Sequence, residues 1–160
     1  MKIAIFGVLC LILIDSCAVY TFSPSALGGI KSVAVPVFDN QTTEYGLGEA
    51  LSGALSQAFV ADNTLKVMPE AQADAIMRGT VVSYSREAYT YTEADAVQEY
   101  ICRIGIKAKF ENIKTNKTIW EDNLSDFGTY RSADESEQDG KDRAVSKLID
   151  QILNKTVKGW

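Results

Sequence analysis

Histidine is absent from all 160 residues. His-based triads, the commonest zinc ligand and the side chain that most readily moves protons near neutral pH go with it. No Gly-x-Ser-x-Gly, Gly-x-x-x-x-Gly-Lys-Ser/Thr or Gly-x-Gly-x-x-Gly motif occurs, and no group of cysteines could close around a metal. Asp39 with Glu44, and Glu93 with Asp95, are near neighbours in polar turns, where ordinary surface acids are expected. Asp134, Glu135, Glu137 and Asp139 have the charge of a calcium loop without its spacing or its distal Glu. No catalysis, cofactor or metal is therefore expected. The chemistry that remains is binding. Arg103, Lys107 and Lys109 share one side of an alternating segment, and Lys114 and Lys117 flank the turn that follows. In a chain of net charge −5 they read either as a solvated strand face or as an anion-binding face. The acidic balance argues against a nucleic-acid partner. Tyr84, Tyr89, Tyr91 and Tyr100 gather around a predicted hairpin, as strand formers or as an interface.

Cys17 carries a different chemistry. Lys2 precedes an uncharged apolar run from Ile3 to Ile14, too short to span a bilayer but suited to the core of a secretory signal. Ile14-Asp15-Ser16-Cys17 then resembles a lipobox, with an aliphatic residue three before the cysteine and a small one just before it; Asp15 departs from the usual small or apolar residue. The expected product is a lipoprotein acylated at Cys17, held to the membrane by that anchor. Lys2 and Asp15 leave together, so the mature chain keeps its acidic balance. Cys102 is then alone in the domain and cannot form an internal disulfide; among strand residues it reads as a small buried hydrophobe. The expected organisation is a signal peptide over 1–16, a tether over 17–29 and a single domain over 30–160.

The domain must position these residues on a sheet backed by helices. Val33, Val35 and Val37 alternate along a first strand, with Pro36 favouring an edge or a strand end. Leu47, Ala50, Leu51, Ala54, Leu55, Ala58 and Phe59 form one helical stripe within a helix expected from about Glu44 to Ala61, with Thr43 as its N-cap. Leu65–Met68 reads as a short strand closing a βαβ unit, so its strands should be parallel. A meander follows, with turns at Glu93–Ala96 and Lys114–Lys117. Tyr100, Cys102, Ile104, Ile106, Ala108 and Phe110 alternate against Arg103, Gly105, Lys107, Lys109 and Glu111. Ala144, Val145, Leu148, Ile149, Ile152 and Leu153 make a second helical stripe after an acid-rich start that suits the helix dipole. The expected fold is α+β: a mixed sheet of four or five strands in the order β-α-β-β-β-β-α, with both helices on one face. Its buried side should include Val33, Val35, Val37, Leu51, Leu55, Phe59, Cys102, Ile104, Ile106, Leu148, Ile149 and Ile152.

Several segments in order resemble the LptE family of lipopolysaccharide-assembly lipoproteins. They are Cys17-x-x-Tyr20-x-Phe22, the run Ile30–Glu44, Leu65-Lys66-Val67, Ala73–Gly79, Ser83-Tyr84-Ser85-Arg86-Glu87, Glu99-Tyr100, Trp120-Glu121 and the final helix. The resemblance implies an outer-membrane lipoprotein at the periplasmic face that plugs and supports an LptD-type β-barrel and binds lipopolysaccharide. It adds Arg86, beside the first hairpin, to Arg103, Lys107, Lys109, Lys114 and Lys117 as candidate lipopolysaccharide contacts. The first half is also similar to curli-secretion lipoproteins and penicillin-binding-protein activators, which implies a periplasmic adaptor as the alternative.

Overall fold

In the computed structural model, Leu27 and residues 29–158 are described. Cys17, the signal segment and almost all of the expected tether lie outside them. The elements run β1 (Ser32–Ala34), β2 (Asp39–Asn40), α1 (Leu47–Asp62), β3 (Lys66–Val67), a 3₁₀ turn (Glu70–Gln72), β4 (Ala75–Tyr91), β5 (Val97–Asn112), β6 (Lys117–Arg131) and α2 (Glu137–Leu153), which ends in a π turn over Asn154–Lys158. The sheet has six strands in the spatial order β3-β1-β4-β5-β6, with β2 laid parallel against β4. β1 is parallel to both β3 and β4, as the strand–helix–strand spacing requires, while β4, β5 and β6 form an antiparallel meander. The architecture is the expected α+β one, with the short strand β2 added where the first strand divides.

That division corrects the first strand. Val33 is fully buried, but Val37 is 63% exposed and Phe38 turns inward instead. Pro36 has no N–H for the ladder and ends the strand, so the period of two stops there. Phe38 then lies where a β-carbon on Gly79 would strike its ring. The start of α1 also differs from expectation. Thr43 is not the cap; Gly46, at φ 78°, holds the N-cap position and Leu47 opens the helix. Asn40 occupies the preceding turn. Its Oδ1 accepts from the Thr42 N–H (3.0 Å) and hydroxyl (2.7 Å), and its amide donates to the Glu44 carbonyl (2.6 Å). Thr42–Glu44 is thereby held in a side-chain-bonded turn rather than a first helical turn.

The α1 stripe buries Leu47, Leu51, Leu55 and Phe59, and the α2 stripe buries Ala144, Val145, Leu148, Ile149 and Ile152. They meet Met77, Val81, Ile104, Ile106, Ala108 and Phe110 of the sheet in one core. A capping box between Ser136 and Asp139 starts α2 and satisfies amide groups that would otherwise be unpaired. Gly140 of α2 packs directly on Gly128 of β6. A β-carbon on Gly128 would collide with the Gly140 carbonyl oxygen, so only glycine permits this approach. The contact seats the first turn of α2 directly on the far end of the sheet.

Candidate functional site

The long hairpin β4–β5 carries most of the candidate residues, and one bulge decides which side each occupies. Val81 pairs with Ile106 and Ser83 with Gly105, which leaves Val82 without a partner across the ladder. Before the bulge, Ala75, Met77 and Val81 face the helices. After it, Tyr84 and Arg86 do, opposite Ile104 and Cys102. A single extra residue exchanges the two faces of everything beyond it.

Arg86 consequently enters a cluster on the helix side, next to the start of α2. Its guanidinium carbon stands 3.9 Å from the Tyr100 ring centroid, and its Nε donates to the Tyr130 hydroxyl at 2.5 Å and lies 3.2 Å from Glu137 Oε2. Tyr100 and Tyr130 are register partners whose rings stack at 5.3 Å. The Tyr84 hydroxyl donates to Glu137 Oε1 at 2.6 Å and lies 3.4 Å from Cys102 Sγ. Burial pushes the Tyr84 phenol and the Cys102 thiol upward, and the hydrogen bond to Tyr130 raises the Arg86 guanidinium. Tyr84 and Cys102 are therefore neutral and Arg86 charged across the physiological range. The cluster can orient charge and stack on a ligand.

The opposite, open face gathers the strand cations. Arg103, Lys107 and Lys109 project there together. Arg78, the register partner of Lys109, joins them. Lys107 Nζ lies 2.7 Å from Glu121 Oε1 and Lys109 Nζ 2.5 Å from Glu111 Oε1. Arg78 Nη2 lies 2.8 Å from Glu70 Oε1. The bond from Lys107 holds Glu121 below the usual carboxylate range. Arg103 is drawn over the Phe127 ring, 5.3 Å from its centroid. A shallow depression of about 350 Å³ runs between Asp39, Arg78, Thr80, Lys107, Lys109 and Glu121. An anion settling there would exchange partners with these carboxylates, a modest gain at an exposed surface.

The remaining candidates are elsewhere. Lys114 pairs with Asp74 at the near end of the sheet, where Asp74 also accepts from the Lys31 N–H (2.9 Å) and the Ser32 hydroxyl (3.0 Å). The Lys114 bond, first among these, holds the Asp74 carboxyl well below the usual carboxylate range. Lys117 is exposed at the start of β6. The structure thus joins Arg103, Lys107 and Lys109, places Arg86 behind them, and separates Lys114 and Lys117. Arg78, Tyr130 and Glu137 are not among the binding candidates that the sequence offers. Arg78 lies in a segment without clean alternation, and Tyr130 and Glu137 reach Arg86 only through long-range packing.

Among the described residues no helix is long and apolar enough to cross a membrane. No curated protein matches the chain. Solved structures share its fold at low identity. A protein from Xanthomonas campestris is 10% identical, with a TM-score of 0.59 over 86% of this chain and 90% of that one. The PelC dodecamer subunit from Paraburkholderia phytofirmans is 17% identical, with a TM-score of 0.51 over 79% and 86%. A minor lipoprotein from Acinetobacter baumannii is 13% identical, with a TM-score of 0.50 over 81% and 92%. These likenesses establish the fold alone. A family model described as LptE, lipopolysaccharide-assembly, matches residues 30–156, from the entry to β1 to the π turn after α2, and by that match the chain belongs to the LptE family.

Proposed function

We propose that the protein is an outer-membrane lipoprotein, anchored at the periplasmic face through an acylated Cys17, that plugs and supports an LptD-type β-barrel and binds lipopolysaccharide during its assembly at the cell surface. The observation that carries this reading is the family match across the whole domain. The layout of charge supports it. In an acidic chain, Arg103, Lys107 and Lys109 stand on one sheet face with Arg78 beside them, suited to phosphate groups through charge-assisted hydrogen bonds. Arg86 offers a second contact on the helix side, its aromatic cradle leaving 40% of the side chain exposed. Lys114, paired with Asp74, and Lys117 stand apart from this set at the near end as separate candidate contacts.

The test separates ligand from barrel. Arg103, Lys107 and Lys109 are replaced together by Ser, and Arg86 separately by Ala; lipopolysaccharide binding and barrel co-purification are then measured for each folded variant. The expected result for the triple variant is weaker lipopolysaccharide binding, with the salt sensitivity of the parent reduced and the barrel still bound. Unchanged lipopolysaccharide binding removes the open face from the reading. A self-assembled ring in place of a barrel partner favours the adaptor alternative. For the anchor, the intact mass of the mature N-terminus is expected to show a multiply acylated Cys17, since acyl chains contribute about 0.8 kcal/mol per buried CH₂. An unmodified N-terminal residue removes the anchor.

A further inference from the structure

The two outer edges of the meander are finished differently. Along β6 the chain closes its own edge. The Asn123 N–H donates to Asp122 Oδ1 (2.8 Å), the Phe127 N–H to Asp126 Oδ1 (2.8 Å) and the Arg131 N–H to Glu135 Oε2 (2.7 Å). The Phe127 carbonyl accepts from Lys147 Nζ (2.7 Å) and the Thr129 carbonyl from Arg143 Nη1 (2.5 Å). Helix α2 lies along this edge, and Lys155 and Gln151 fasten it to Asp122 and Asp126. An incoming strand would find the backbone groups at these positions occupied.

Along β4 the cover stops partway. β1 pairs with Ala75–Ile76, β2 with Thr80–Val81, and the Gln41 N–H closes on the Val81 carbonyl at 3.0 Å. Beyond Val82, among the described residues, the backbone of Ser83–Tyr91 bonds only to β5. From Ser83 to Ala88 the register runs unbroken, and alternate residues of an antiparallel strand turn both N–H and C=O outward. Exposed edges are normally blunted by Pro, by Lys or by charges that project over them. Ser83-Tyr84-Ser85-Arg86-Glu87-Ala88 has neither Pro nor Lys, its one cation is drawn inward to Tyr130 and Glu137, and Glu87 is the single other charge on it. Val82, Tyr89 and Tyr91, 45%, 52% and 57% exposed, stand at the two ends of this stretch. Tyrosine is among the residues enriched at interfaces.

We infer that the Ser83–Ala88 edge of β4 is a strand-addition site that receives an extended segment of the barrel partner through backbone pairing. The inference rests on the proposed partner and adds to it the surface and the mode of contact. A closed barrel has no free strand edge, so the added segment comes from a loop of the partner folded against this chain. A second copy of this chain fits less well. At about 3.3 Å per residue the free stretch is only some 20 Å long. Two such edges joined about a twofold axis bury far less than the roughly 1,000 Å² of a stable interface.

The test is residue-resolved amide exchange on the full chain, free and in a purified complex with its co-expressed LptD-type barrel. In the complex, the outward amides of Ser83–Ala88 are expected to slow by about a hundred-fold or more, as hydrogen-bonded strand amides do. The amides of Asn123, Phe127 and Arg131, already bonded, should keep their free-chain rates. A complex in which Ser83–Ala88 exchanges as in the free chain overturns the inference and leaves the partner reading standing. Failure of the barrel to bind at all overturns both. Protection of the same amides in the free chain, with a dimer mass, overturns the assigned occupant.

Discussion

The near and far ends of the β4–β5 hairpin are built from the same alternating strands but perform different work. At the near end, Met77 and Val81 of β4 and Ile106, Ala108 and Phe110 of β5 are closed over by both helices, and no side chain among these is exposed. At the far end the start of α2 meets the sheet, with Gly140, Arg143 and Ala144 against Gly128, and the helix-side residues are Tyr84, Arg86, Tyr100, Cys102 and Tyr130 around Glu137. Apolar burial stabilises one end, while directional polar bonds set the geometry of the other.

The contrast is broken most directly by truncation. Ile104→Ala, in the core just before the far cluster, is expected to lower stability by about 2–5 kcal/mol. Tyr89→Ala, on the exposed tip, should stay within about 0.5 kcal/mol of the parent. Denaturant midpoints decide it, and equal losses at the two positions would erase the distinction between the ends. A smaller effect is expected within the far cluster. Tyr84→Phe removes the hydroxyl that donates to Glu137, at a cost of about 1 kcal/mol. It should also slow the reaction of Cys102 with a thiol reagent, because the Tyr84 hydrogen bond that favours the thiolate is gone while the thiol stays buried. An unchanged labelling rate would show that the cluster does not gate the thiol.

The subtlest effect is in acid. Glu135, on the connection into α2, is held at about 2 by the Arg143 side chain first, then by the Arg131 N–H and Arg131 charge. Its carboxylate is favoured in the folded state. The stability it contributes is therefore present above the ordinary carboxylate value of 4.5 and is lost as pH falls from there towards 2. Glu135→Gln should flatten the stability profile across that window and leave its shape near neutral pH unaltered. An acid limb identical to that of the parent would show that the far end is not fastened through Glu135.

Much of the fold was legible because its signals are local. The α1 and α2 stripes, the alternation of β5 and the turns expected at Glu93–Ala96 and Lys114–Lys117 are properties of short windows; the structure has the stripes and the alternation there, and its turns fall at 92–96 and 113–116, within a residue of expectation. The candidate site was legible only in part. Arg103, Lys107 and Lys109 share a face because they lie on one regular strand. Arg86 could not be placed by spacing from them, since its side of the sheet depends on pairing with another strand.

From the sequence alone came the class of fold, the acidic balance, the lipobox-like Cys17 and a strand with a charged face. These follow from residue type and from periods of 2 and 3.6, which the chain expresses without reference to its distant parts. Only the tertiary structure decided that Val37 faces out, that Arg86 lies behind the open face, and that, among the described residues, β6 has backbone groups of its outer edge bonded while Ser83–Ala88 of β4 does not. Each depends on where a strand stops or slips against its neighbour: Pro36 ends β1, Val82 is passed over by the β5 register, and α2 lands beside β6 because Gly128 and Gly140 allow close approach. A one-residue slip leaves composition and local pattern untouched yet reverses the faces beyond it, so it is decided where strands pair.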